Sequence, residues 1–134
     1  MAPGSPVATW QLDASYSALR ITPHVDPASH DARASSFDGN APRHQWQVHS
    51  TTQIGSRTEA QLAFYHVGAL RQLEVPAYTR LDTHVELKLG RGFAAILFGR
   101  NLLNSSHAEF ASPNAIAGSF VPRSALVQLR WQFR

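Results

Sequence analysis

The feature that most constrains this chain is an alternation of apolar and polar residues with a period of two, sustained along nearly its whole length. In WQLDASYSAL, Trp10, Leu12, Ala14, Tyr16 and Ala18 alternate with Gln11, Asp13, Ser15 and Ser17. In HQWQVHSTTQI, Trp46, Val48 and Ile54 share a face with Ser50 and Thr52, against Gln45, Gln47, His49, Thr51 and Gln53. RTEAQLAFYHV sets Ala60, Leu62 and Phe64 against Arg57, Glu59 and Gln61. YTRLDTHVELKL puts Leu81, Val85, Leu87 and Leu89 opposite Arg80, Asp82, His84, Glu86 and Lys88. SALVQLRWQF sets Ala125, Val127, Leu129, Trp131 and Phe133 against Ser124, Gln128, Arg130 and Gln132. Side chains on a strand point alternately to opposite faces, so this pattern predicts strands with one apolar face. GFAAILFGRNLL is apolar on both faces. The reading is all-β, an antiparallel up-and-down meander of six strands of about 10 to 13 residues each.

Strands of that length exceed the roughly five or six residues usual in globular proteins and match the ~9–11 residues of a tilted strand crossing a bilayer. The links between them alternate as well. Those over 22–42 and 104–121 are long, 70–77 is intermediate, and 55–58 and 90–92 are short. Short turns at one end and long loops at the other is the asymmetry of outer-membrane barrels. Trp10, Trp46, Trp131 and Phe133 fall on apolar faces near strand ends, where interfacial aromatic girdles sit. The other reading of these rings is ordinary packing inside a soluble β-protein.

Composition agrees. The 134 residues are 43% hydrophobic and only 16% charged, below the roughly one quarter charged of average soluble chains. The net charge of +3 is spread along the chain rather than clustered, which argues against nucleic-acid binding. No stretch is long and apolar enough for a membrane helix. The absence of cysteine removes disulfides, thiolate metal sites and cysteine nucleophiles. The opening MAPGSPVATW has neither the basic region nor the apolar core of a signal peptide.

Chemistry-bearing motifs are few. His107-Ala108-Glu109 has the H-x-E spacing of zinc deaminases, but that site is completed by P-C-x-x-C, which a cysteine-free chain lacks. The seven histidines are scattered without metal-ligand spacing, no serine sits in G-x-S-x-G, and Gly90-Arg91-Gly92 reads as a hairpin turn. No catalytic residue, cofactor or metal is expected. The row Arg80, Asp82, His84, Glu86, Lys88 reads as a wall facing water, its charges met by cross-strand partners. His30, His107 and Glu109 lie in long links and are candidates for ligand contact.

Four stretches together, GNAPRHQW (39–46), YTRLDTHVEL (78–87), GRNLLNSSHAEF (99–110) and VPRSALVQLRWQF (121–133), resemble the C-terminal strands of TonB-dependent outer-membrane receptors. Such receptors commonly carry A-Y-x-x-L-D, then Gly-x-Asn-Leu-Leu followed by His-x-Glu-Phe, and finish on P-R-S with a terminal W-x-F. The similarity runs from about Trp10 to Phe133. It implies a 22-stranded barrel plugged by an N-terminal domain, which takes up scarce ligands such as iron–siderophore complexes or cobalamin. On this reading residues 1–134 are the C-terminal part of that barrel, the row 80–88 lines its lumen, and loops 23–42, 70–77 and 104–120 lie outside. Leu102 and Leu103 close an ascending strand, and 105–110 begin an outer loop. The implied partners are the rest of the barrel and plug, a TonB-type energy transducer, outer-membrane lipid, the barrel-assembly machinery and a small ligand. The sequence departs from the family in holding no plug and few of the strands, and in carrying Arg134 after the aromatic Phe133. Two other readings are a free-standing soluble β-domain and a strand-donating subunit of a multi-chain pore.

Overall fold

The alternating stretches all become strands. The computed structural model describes residues 8–22, 24, 26, 28, 41–110 and 119–133. Strand β1 runs Thr9–Ala18, β2 His44–Ile54, β3 Thr58–Val67, β4 Tyr78–Gly90, β5 Phe93–Arg100, β6 Ser106–Phe110, β7 Ser119–Pro122 and β8 Ser124–Trp131. Six of them form one antiparallel sheet in the order β1-β2-β3-β4-β5-β8, and β6 pairs with β7 in a separate hairpin. The one helical segment among the described residues is a 3-10 turn at Arg71–Leu73, closed by pairing of Leu70 with Val75.

The short links are tight turns. Gly90 pairs with Phe93 around Arg91 (φ 52°) and Gly92 (φ 81°). Positive φ at both central residues is the primed turn whose twist matches two flanking strands. Leu89, just before it, bulges out of the ladder between Lys88 and Gly90. The other short link turns at Gly55, φ 60°.

Three expectations are corrected here. The strand expected to run through Leu102 and Leu103 ends sooner: β5 stops at Arg100, and Asn101 turns the backbone with φ 54°. Residues 106–110 are likewise strand β6 rather than the start of an open loop. Strands β5 and β8, at eight residues each, are also shorter than the expected length of about 10 to 13.

The register carries the alternation across the whole sheet. Trp10 pairs with Thr52, Thr52 with Ala60, Ala60 with Val85, Val85 with Leu97, and Leu97 with Val127. One face therefore collects Leu12, Val48, Leu62, Phe64, Leu81, Leu87, Leu97 and Leu129, and the other collects the glutamines and charges. Nothing among the described residues covers the apolar face: Trp10 is 66% exposed, Leu129 75% and Phe133 74%.

This apolar band runs obliquely to the strands. On β1 it extends from Trp10 to Tyr16; on β8 it extends from Ala125 to Trp131. Trp131 lies four residues beyond Val127, the residue in line with Trp10. At about 3.3 Å per residue and five inter-strand steps of about 4.8 Å, the lower edge drops about 13 Å over about 24 Å, a slope near 30°.

The double-sided apolarity of GFAAILFGR has a cause in the same register. Glu86 on β4 and Arg130 on β8 join at 2.5 Å. Glu86 pairs with Ile96, and Arg130 with Ala94. The ion pair thus passes over β5 on the polar face, and both residues beneath it are buried.

Candidate functional site

The upper end of β4 is where side chains from distant segments converge. The descending strand brings Tyr78, Arg80 and Asp82 onto the polar face, beside the turn that follows β5. Asp82 Oδ1 accepts the Asn101 backbone N–H at 3.0 Å. Asn101 Nδ2 donates to the Val121 carbonyl at 2.9 Å, and the residue is fully buried. Leu102 N–H donates to Leu81 O at 2.9 Å, and Asn104 Nδ2 to Thr79 O at 2.6 Å. Residues 101–104 are stitched to β4 in this way, and Arg123 N–H closes the base of the β6–β7 hairpin on Ser105 O at 2.9 Å.

Above that seam lies an ion-pair knot. Arg80 Nη1 meets Glu109 Oε1 at 3.1 Å, and Arg80 Nε lies 3.1 Å from Asp82 Oδ2. The Arg80 guanidinium also sits over the Tyr65 ring, 4.5 Å from its centroid. His107 Nε2 lies 3.0 Å from the same Glu109 oxygen, so the carboxylate draws the ring proton to Nε2. The His107 ring stacks on Tyr78 with centroids 4.1 Å apart, while its Nδ1 is buried without a partner among the described residues. The carboxylates are committed to Arg80, His107 and a backbone amide. This fits holding a hairpin in place better than turning over a substrate. A cleft of about 740 Å³ opens beside the knot, lined by Glu74, Tyr78, Asn104, His107 and Phe120 among others.

Arg80, Asp82, His84, Glu86 and Lys88 do share one face of β4. The expectation that cross-strand partners meet these charges holds in part: Glu86 pairs with Arg130 on β8 and Arg80 with Glu109 on β6, while Arg80 also pairs with Asp82 along its own strand and His84 stacks on Phe98 at 4.7 Å. Lys88 has no ion pair among the described residues. Of the aromatics, Trp46 stacks on Phe64 at 5.2 Å and His66 at 5.6 Å near the long-loop end. Trp131 stacks on Phe93 at 5.2 Å and meets Phe133 edge-on at 4.4 Å near the short-turn end. Trp10, near that same end, donates from Nε1 to Ser50 Oγ at 2.9 Å. His107 and Glu109 converge in the knot; His30 lies outside the described residues. Among the described residues, no group of three or more potential ligand side chains could hold a metal ion.

Asn101, Asn104, Tyr65 and Tyr78 were not expected in this cluster. Asn101 carried the one available signal, an asparagine directly after a strand, since asparagine tolerates left-handed backbone. No protein-family model, curated protein or solved structure matches the chain.

Proposed function

We propose that this chain is the C-terminal barrel segment of a TonB-dependent outer-membrane receptor, serving energised uptake of a scarce ligand such as a metal chelate or cobalamin. The observation that carries the reading is the uncovered, oblique apolar band with aromatic rings toward both ends. A soluble monomer rarely leaves so large an apolar face open. Strands in outer-membrane barrels tilt by about 35–45° to the axis, so a level slab of lipid crosses them at a slant, and a slope near 30° is of that order.

On this reading the apolar face meets lipid, and the row 80–88 faces the lumen. The β6–β7 hairpin and the 3-10 turn stand on the outer side. Six strands leave two open edges whose N–H and C=O groups are costly in lipid, so the remaining strands and the plug come from outside this sequence. The segment is not an enzyme; it is a wall and loop support, and transport belongs to the completed receptor.

The test is detergent dependence of the full chain. Refolding into neutral micelles should give a β-rich species with blue-shifted tryptophan emission, and removal of detergent should give aggregates. A monodisperse, cooperatively melting monomer without detergent would sink the proposal. An in-frame plug domain encoded upstream of Met1 would support the family assignment specifically.

A further inference from the structure

Two recesses lie at the rim of β1–β3, above the end of the band that holds Tyr16 and Trp46. One, of about 540 Å³, is lined by Ala18 to Thr22 with Arg43 and His44. The other, of about 240 Å³, is lined by Arg43, His44, Gly68, Ala69 and Arg71 among others. Arg43 and His44 line both, so three arginines and a histidine stand around the two recesses, and no carboxylate among the described residues lines either one. Arg20 and Arg71 have no ion-pair partner among the described residues. His44 is fixed by its Nδ1, 2.6 Å from the Tyr16 hydroxyl. Beside the arginines the wall is apolar, with Leu19 46% and Ile21 39% exposed.

We infer that this rim binds the phosphate-bearing headgroup of an anionic lipid, an inference that rests on the membrane reading above. Guanidinium groups pair with phosphate oxygens through two parallel N–H donors. A free phosphate would use the arginines and gain nothing from Leu19 and Ile21, whereas a lipid fills both halves of the recess. Arg20 stands four residues above Tyr16. That is about 13 Å along an extended chain, within the headgroup zone that long basic side chains reach from an interfacial aromatic belt.

The test uses the full chain in neutral detergent micelles, with fluorescently labelled phosphatidic acid as probe and anisotropy as readout. The R20Q/R71Q double variant should weaken binding by roughly tenfold or more. R57Q/R91Q removes the same charge from the two short turns at the opposite end and should leave binding within about threefold. Equal loss in both pairs means diffuse charge attraction and overturns the site. Displacement of the probe by inorganic phosphate at equal concentration overturns the lipid assignment. Tryptophan emission in the same micelles reports the membrane reading separately. A blue shift without preferential binding refutes only the headgroup site, whereas no blue shift refutes the membrane reading beneath it.

Discussion

Asn101 offers the sharpest test of the seam between β4 and the β6–β7 hairpin. It is fully buried, holds φ at 54°, and its side chain is the link to Val121. Asn101→Ala loses the Nδ2 bond and leaves the half-buried Val121 carbonyl without that donor, at about 1–3 kcal/mol. It also forces alanine into left-handed backbone, at roughly 1–2 kcal/mol. The sum is about 3 kcal/mol, or roughly a hundredfold in the opening equilibrium. Asn101→Gly loses the same bond but adopts the conformation without the Cβ penalty, offset in part by its looser unfolded chain. It should be milder by about 1 kcal/mol, near fivefold. The assay is amide hydrogen exchange of the full chain in neutral micelles, read at His107 and Val121, which pair across the hairpin, with β2–β3 amides as internal reference. If glycine is as disruptive as alanine, the left-handed turn is not what selects asparagine. If neither moves the hairpin, the seam does not hold it.

Three further outcomes follow from the geometry. Leu129→Arg, mid-band on β8 and 75% exposed, should destabilise the micelle-bound fold by about 2–4 kcal/mol, whereas Gln128→Arg on the opposite face should be nearly neutral; urea midpoints in micelles distinguish them. Gly92→Ala should cost clearly more than Gly90→Ala in the same assay. Both sit at positive φ, but a Cβ at Gly92 would lie 2.2 Å from the Gln132 carbonyl while one at Gly90 meets nothing within 4 Å. Arg91→Asn should stabilise the hairpin by a few tenths to about 1 kcal/mol, since asparagine suits its φ of 52°.

The sheet was legible because its information is local and repeated. Each of five stretches states its own period, and the pairing register then aligns faces that the sequence had already sorted. The Gly90–Gly92 turn was equally plain. The knot was not, because its parts act across the chain. Asn101 answers Asp82, nineteen residues back, and Arg80 reaches Glu109, twenty-nine residues on. Strands β6 and β7, of five and four residues, are too short for a period to register. They stand on hydrogen bonds from Asn101 and Arg123 rather than on an alternation of their own. Ile96 and Ala94 misled for a similar reason: an ion pair between the two neighbouring strands covers them.

The slope of the apolar band can be tested directly, because a cysteine-free chain gives single-cysteine labelling no background. Extending the observed register places Ala14 of β1 in line with Arg123, and Leu129 of β8 in line with Ala8. If apolar solvent covered the sheet in a strip perpendicular to the strands, Ala14 and Arg123 would be equally shielded, as would Leu129 and Ala8. A level slab crossing tilted strands instead shields Ala14 and Leu129 and leaves Arg123 and Ala8 in water. A membrane-impermeant maleimide should therefore label R123C and A8C in micelles many times faster than A14C and L129C. Equal rates within each row would remove the tilt, and with it the main argument that this sheet is cut from a barrel. The edges sharpen the point. Six antiparallel strands leave β1 and β8 running in opposite directions, so closure with antiparallel neighbours throughout needs an even number of further strands. Each of those must continue a drift of nearly one residue per strand for its own apolar stretch to meet the same slab.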